Sequence, residues 1–186
     1  MSVFVWVGGG AALHLGKAWL APILIKRAWA SAVDAGGPAP PPWPWADTRP
    51  VLHLQVPRLQ VERFILEGAN GRALAFGPVL SSPGGVHVMF GHRDTHFSFL
   101  QEIRLDDRLL VQTANGPPVA YRVREIAVRD QDDIAIVADD GEAPLVLVTC
   151  YPFNGLEPGG SLRYVLLAAR ETSRELSDPA DVASAR

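Results

Sequence analysis

The single cysteine of the chain lies where a buried strand is expected to end. Cys150 closes an apolar run that begins at Pro144, and the turn-forming segment 151–155 follows it. A short run rich in Val and Leu between Pro and Gly is typical of a strand with both faces covered. A thiol at the end of such a strand could act as a nucleophile. The alternative is a packing role, because free cysteine is among the most buried residue types.

A histidine and an arginine occupy comparable positions. His92 directly follows the apolar run 86–91, and Arg163 lies in a second apolar run, 162–169. A charge in such a strand is costly to bury without a partner. A thiolate forms near neutral pH beside a cation or a base, and the oxyanion of an acyl transfer needs hydrogen-bond donors, which an arginine supplies. Together the three residue types predict acyl-transfer chemistry at a nucleophilic cysteine.

Neighbouring polar residues leave several roles open. Thr149 either donates a hydrogen bond to a substrate or packs as a β-branched strand residue, and Asp94 either contacts a substrate or a neighbour or forms a local turn. Both are candidate substrate-binding residues. His87 and His96 are the alternatives to His92 as the base, and we favour His92 because it lies at a strand end.

These residues resemble the active-site motifs of the sortases. The strand end 147–150 is similar to the Thr-Cys strand end of that family, 162–165 resembles its active-site arginine strand, and Gly91-His92 resembles its active-site histidine. The order His, Cys, Arg also agrees. Three sequence segments, 42–48, 91–97 and 149–153, resemble the Gram-negative, marine proteobacterial class of sortases (class GN). The resemblance covers roughly residues 10 to 170.

Sortases are cysteine transpeptidases, so the resemblance implies a mechanism and a set of partners. Cys150 would attack a C-terminal LPxTG-like sorting signal of a partner protein and hold it as a thioacyl enzyme, which an amine acceptor resolves. His92 would protonate the leaving amine and later deprotonate the acceptor, while Arg163 would hold the carbonyl or the oxyanion. The identity of the amine acceptor is not readable from the sequence, and no cofactor is implied.

Composition limits the other possibilities. The 186 residues are 48% hydrophobic, which suits one globular domain with appendages. The net charge is −3 and the basic residues are scattered, so a nucleic-acid partner is not expected. One cysteine cannot form an internal disulfide or a multi-thiolate metal site. The acidic stretch 130–140 lacks the spacing of a calcium loop, so we expect no metal site there.

Residues 1–33 are apolar and are expected to form an N-terminal anchor or juxtamembrane helix. The resemblance implies a single pass through the cell inner membrane with the catalytic domain on the periplasmic side. His14 and Lys17 interrupt the apolar segment. The basic residues would lie on the periplasmic side of such a span, whereas the positive-inside rule places basic residues on the cytoplasmic side. A shallow span at 3–15 followed by an amphipathic helix at 16–30 would reconcile these facts, and so would a misplaced start codon. The alternative is a helix packed on the domain.

The rest of the chain divides into three segments. Residues 34–50 form a Pro- and Trp-rich linker, 51–170 the catalytic domain, and 171–186 a polar tail. Short strands separated by Gly and Pro turns, including a hairpin of 108–113 with 119–128, predict an all-β barrel. The sortase resemblance implies about eight strands. Short helices are expected near 74–76 and 97–103.

Two other functions fit the cysteine. The first is a hydrolytic cysteine enzyme, either a peptidase or a relative of the L,D-transpeptidases, although the latter place an arginine almost beside the cysteine, where Tyr151 and Pro152 stand here. The second is a non-catalytic β-barrel binding module with Cys150 as buried packing.

Overall fold

The chain forms a closed eight-stranded β-barrel with one long helix packed on its side. The computed structural model describes residues 5–68, 71–82, 86–134, 144–155 and 160–171, with helix side chains from Leu20 onward. The strands are β1 Pro50–Val56, β2 Val61–Glu67, β3 Val79–Ser81, β4 His87–Phe90, β5 Arg108–Gln112, β6 Val119–Asp130, β7 Leu145–Cys150 and β8 Leu162–Arg170. The helices are α1 Val5–Ala35 and α2 Gly71–Leu74, with 3-10 helices at Pro57–Leu59, Ser98–Gln101 and Gln131–Asp133.

The strand order around the barrel is β1-β2-β3-β4-β7-β8-β6-β5, and β5 pairs with β1 to close it. Most neighbours are antiparallel, whereas β2 with β3 and β4 with β7 are parallel. The predicted all-β barrel is therefore confirmed. Because β4, β7 and β8 are neighbours in space although 54 residues of chain separate β4 from β7, the barrel brings distant parts of the sequence to one edge.

Two apolar layers fix the two faces of β7. Leu145 and Leu147 point into the barrel, where they join the main core with Met89 and Leu166. Alternate β7 residues pack instead in a smaller cluster on the other face. Burying both faces explains why the β7 sequence is a continuous apolar run rather than an alternating one.

The predicted hairpin is confirmed, because β5 and β6 pair in an antiparallel register from Arg108↔Arg122 to Val111↔Val119. The short helices lie close to their predicted places, at Gly71–Leu74 and Ser98–Gln101. In the acidic stretch, Asp130 caps the 3-10 helix that follows β6 by accepting a hydrogen bond from the Asp132 N–H. The remaining acidic positions of that stretch, 139 and 140, lie outside the described residues.

Helix α1 is one continuous helix rather than two segments, and its second half packs on the barrel. Trp29 is 6% exposed, and its ring centroid lies 5.9 Å from that of His53 and 6.1 Å from that of Phe64. Lys26 donates to the Glu62 carboxylate at 3.1 Å. These contacts match the alternative of a helix packed on the domain. Among the described residues, no helical segment combines the length and the hydropathy of a membrane span.

The segment after α1 follows the barrel surface. Gly36 has a φ of +61°, which is the left-handed conformation that ends many helices. Trp43 packs edge-on against Phe76 with ring centroids 5.0 Å apart, whereas Trp45 is 74% exposed. One of the two linker tryptophans is therefore part of the barrel's outer packing.

Candidate active site

The site lies at the barrel edge where β4 and β7 end and β8 begins. The parallel pairing of β4 with β7 places Phe90 beside Val148, and the Gly91 N–H donates to the Val148 carbonyl at 3.3 Å. Both strands therefore leave the sheet at the same edge. His92 follows β4 and Cys150 ends β7, so the parallel register brings these two chain positions side by side.

Cys150 and Arg163 are direct cross-strand partners of β7 and β8. The next rung is hydrogen-bonded, since the Tyr151 N–H donates to the Leu162 carbonyl at 3.0 Å. Cys150 and Arg163 thus form a non-hydrogen-bonded pair, in which Cβ atoms are closest and side chains share one face of the sheet. The antiparallel register accordingly places Cys150 and Arg163 side by side on one face of the sheet.

That shared face is the outer face of the barrel. Val146 and Val148, which alternate with the core leucines of β7, pack there with Val88 and Val165. Cys150 is the next residue in this row, and it is partly exposed. The apolar layer supports the sheet beneath the site, while Cys150 at the strand end is only partly buried.

The end of β4 is held in place by three contacts around Gly91. The Thr149 hydroxyl donates to the Gly91 carbonyl at 2.7 Å, and Thr149 is 3% exposed. A Cβ on Gly91 would lie 2.6 Å from the Phe97 ring, so the close packing here requires glycine. The Phe97 N–H donates to the His92 carbonyl at 2.9 Å, which closes the loop 92–97. Thr149 thus links two strand ends, and its role in substrate binding stays a prediction.

His92 is exposed, and His96 lies in the same loop with its ring centroid 6.2 Å away. The His96 carbonyl accepts a hydrogen bond from Arg63 Nε at 2.9 Å, which ties the loop to β2. Burial lowers the pKa of His96, and the neighbouring His92 and Arg63 lower it further. The lowered pKa of His96 disfavours a second positive charge beside His92.

The other sequence-predicted residues lie in different settings. Asp94 is exposed in the loop after His92, and its role stays a prediction. His87 lies at the far end of β4, where Nδ1 is 3.4 Å from the Ser82 hydroxyl. That position is remote from the edge where Cys150 ends β7.

Two loops of the site are joined by an arginine that the sequence analysis did not single out. Arg93 Nη2 donates to the Gly155 carbonyl at 2.6 Å, so the loop after His92 is tied to the loop after Cys150. A Cβ on Gly155 would lie 3.0 Å from Arg93 Nη1. The adjacency of Arg93 to His92 in the sequence was the available signal for this residue.

A second residue that the sequence analysis missed contacts Arg163. Arg163 Nη2 donates to Gln131 Oε1 at 2.6 Å, while Nη1 donates to the carbonyls of Gly160 and Leu162 at 2.6 and 2.9 Å. No local pattern identifies Gln131, because the contact depends on the pairing of β6 with β8. In the described ranges, no group of three or more His, Cys, Asp or Glu residues is arranged to hold a metal ion.

Comparison with known proteins identifies relatives of this architecture. A family model described as a Sortase domain matches residues 54–171. Sortase D of Bacillus subtilis is 29% identical over 126 residues, which cover 64% of this chain and 63% of that protein. The matched region thus spans less than two thirds of the length of that relative.

Solved structures share the fold at low sequence identity. Sortase A from Corynebacterium diphtheriae aligns with a TM-score of 0.59 and 17% identity, over 94% of this chain and 99% of that one. Sortase A from Listeria monocytogenes aligns with a TM-score of 0.56 and 18% identity, over 68% and 93% of the two chains. Sortase C from Streptococcus pneumoniae aligns with a TM-score of 0.56 and 22% identity, over 64% and 65%.

Proposed function

The chain belongs to the sortase family, and we propose that it is a cysteine transpeptidase whose nucleophile is Cys150. The observation that carries the proposal is the cross-strand pair of Cys150 with Arg163 at the edge where His92 leaves β4. This edge carries a thiol, an imidazole and a guanidinium. These groups can supply the nucleophile, the proton transfer and the cation that acyl transfer through a thioester needs.

In the first half of the reaction, the Cys150 thiolate attacks the carbonyl carbon of the scissile peptide bond. The carbonyl oxygen becomes an oxyanion, and the Arg163 guanidinium donates hydrogen bonds to it. The C–N bond then breaks, His92 gives a proton to the departing amine, and the acyl group remains on sulfur as a thioester.

In the second half, a primary amine attacks the thioester carbonyl. His92 accepts a proton from the incoming amine, a new amide bond forms, and the C–S bond breaks to release the Cys150 thiolate. Water in place of the amine would give hydrolysis by the same steps. The partly exposed edge leaves room for an acceptor to approach Cys150 from solvent.

We propose that the substrate is a partner protein with a C-terminal LPxTG-like sorting signal. Family membership supports this substrate class, and the pneumococcal Sortase C is described in terms of pilin substrate specificity. The loop motif Gly91-His92 with residues 93–97 and the strand end at Cys150 resemble class GN, so we propose that class for this chain.

The proposed location is the inner membrane, with the barrel on the periplasmic side. The apolar character of segment 1–33 supports this placement, and the packing of Trp29 on β1 and β2 would hold the barrel close to that segment. Fractionation of cells producing the full chain, followed by protease treatment of spheroplasts, tests it. Protection of the barrel from external protease would contradict a periplasmic location.

The test of the activity uses a peptide with an LPxTG sequence and an added primary amine. We expect wild-type protein to join the amine to the acyl fragment, and Cys150→Ala to give neither transfer nor cleavage. Release of acid alone, unchanged by the amine, would favour a hydrolytic peptidase. Undiminished turnover by Cys150→Ala would exclude Cys150 as the nucleophile.

A further inference from the structure

The Arg163 guanidinium is held by the protein on one side. Both N–H groups of Nη1 donate to the carbonyls of Gly160 and Leu162, and one N–H group of Nη2 donates to Gln131 Oε1. An arginine has five N–H donors. Among the described residues, Nε–H and the second N–H of Nη2 have no partner, so two donors remain for an oxyanion or a substrate carbonyl.

Gln131 is itself fixed to the strand that carries Arg163. Its backbone N–H donates to the Ser161 carbonyl at 2.9 Å, which continues the β6–β8 ladder by one rung. Asp130 adds two hydrogen bonds next to Gln131. Its carboxylate accepts from the Ser161 hydroxyl at 2.5 Å and from the Asp132 N–H at 3.2 Å. The Gln131 amide oxygen therefore contacts Arg163 from a backbone position that hydrogen bonds hold in place.

The acceptor on Arg163 is neutral. Within the described ranges, no carboxylate forms an ion pair with the Arg163 guanidinium. The Asp130 carboxylate accepts hydrogen bonds from Ser161 and Asp132, which lower its pKa, and the charge of Arg163 lowers that pKa further without a direct contact. A carboxylate partner would compensate the positive charge that an oxyanion needs, whereas an amide oxygen orients the guanidinium and leaves its charge available.

We infer that Gln131 is a positioning residue, which orients Arg163 toward the reacting carbonyl through a neutral hydrogen bond. The inference rests on the proposed function, since it requires Arg163 to act on the oxyanion. It also assigns a role to the start of the chain segment between β6 and β7, which the sequence analysis treated only as an acidic stretch without the spacing of a calcium loop.

The experiment measures kcat and KM for transfer of LPxTG peptides, drawn from a library varied around that sequence, to a primary amine. Gln131→Met keeps the length of the side chain and removes the strong acceptor. Gln131→Glu keeps an acceptor and adds a negative charge. Gln101→Met, in the 3-10 helix Ser98–Gln101, is the matched control because its amide donates only to the local Ser98 carbonyl.

We expect Gln131→Met to lower kcat about tenfold, the value of one hydrogen bond to a charged group, with KM changed by less than about twofold. Gln131→Glu is expected to lower kcat further, because the new carboxylate pairs with the guanidinium. Gln101→Met is expected to match wild type. The melting temperatures of all three variants should stay close to that of wild type.

Other outcomes separate this inference from the proposed function. If wild-type protein transfers the peptide and Gln131→Met has the same kcat, the inference is overturned and the proposed function stands. The same holds if Gln131→Glu is fully active. A loss of kcat that follows a loss of thermal stability would show a structural role instead and also overturn it. Absence of transfer by wild-type protein on every peptide of the library would overturn both.

Discussion

Two regions of the barrel carry the same kinds of side chain and use them differently. At the face covered by α1, His53 has 11% of its side chain exposed, stacks on Phe64 with ring centroids 4.7 Å apart, and lies 3.2 Å from the Glu62 carboxylate. At the edge where β4 and β7 end, His92 is exposed and its loop is held through backbone groups. One histidine is surrounded by partners, and the other is left available.

The difference teaches that position in the fold, rather than residue type, separates a packing histidine from the one proposed to transfer protons. The His53 ring lies beneath α1 and packs against Trp29 of that helix. At the site edge, hydrogen bonds fix the backbone next to His92 and one side of Arg163. His92 is exposed, and two N–H donors of Arg163 have no partner among the described residues. The first arrangement contributes stability, and the second suits the proposed chemistry because it preorganises the groups.

The largest expected effect is loss of activity at the site edge. His92→Ala and Arg163→Ala should each lower the rate of peptide transfer by about 10²–10⁴-fold, because proton transfer and oxyanion stabilisation contribute on that scale. Thermal melts should show little change, since neither side chain is part of a packed core.

The controls for that prediction come from neighbouring positions of the same residue types. His87→Ala, at the far end of the strand that His92 follows, and Arg129→Ala, the cross-strand neighbour of Arg163 on β6, should retain wild-type rates. Equal losses in the controls would remove the distinction between the site edge and its surroundings.

The next effect is on stability at the helix-covered face. Trp29→Ala should lower the free energy of docking α1 on the barrel by about 3 kcal/mol, because truncating a buried aromatic ring leaves a cavity. Hydrogen exchange of α1 amides would measure the opening, and peptide transfer should continue. Trp45→Ala is the matched control, since Trp45 is 74% exposed. Unchanged exchange in Trp29→Ala would refute the role assigned to this contact.

A smaller effect is expected where packing meets the site. Gly91→Ala would place a methyl group 2.6 Å from the Phe97 ring, and overpacking of this kind costs about 1–3 kcal/mol. Because His92 is the next residue, transfer activity should fall as well. Denaturant unfolding gives the stability, and Gly37→Ala is the control because a Cβ there meets no atom within 4 Å. A fully stable and active Gly91→Ala protein would contradict the close approach.

The smallest effect concerns pH. Burial lowers the pKa of His53 despite the raising influence of Glu62, so below a pH of about 6.5 the unfolded chain takes up a proton that the folded state disfavours. Stability from this residue is present above that pH and is lost as pH falls toward the folded pKa. Unfolding free energies of wild type and His53→Gln, compared between about pH 7.5 and 5.5, measure it.

His53→Gln should lose less stability than wild type over that interval. Part of the wild-type loss should remain in the variant, because the pKa of His96 is lowered in the same direction. Identical pH dependence in the two proteins would mean that His53 does not contribute.

Much of the fold could be predicted from the sequence because its signals are local. The apolar run ending at Cys150 and the turn between β5 and β6 identify strands from composition and spacing alone. The same reasoning places the thiol and His92 at strand ends. The docking of α1 was less predictable, since the ring contacts of Trp29 depend on residues that are distant in the sequence.

The supporting contacts of the site could not be predicted for a related reason. Gln131 reaches Arg163 only because β6 pairs with β8, and Arg93 reaches Gly155 only because β4 pairs with β7. Both pairings join strands that are not consecutive in the chain. A single sequence reveals reactive residue types, but it does not specify the register that supplies their partners.

The central claim is that Cys150 forms a thioester with the acyl part of a sorting signal. Intact-protein mass spectrometry during turnover of an LPxTG peptide tests it directly, with peptide mapping to locate the adduct. We predict an adduct equal to the acyl fragment on Cys150, which disappears when a primary amine is added as the amide product accumulates. Amide product formed by wild-type protein with no adduct on Cys150, together with undiminished product from Cys150→Ala, would contradict the account.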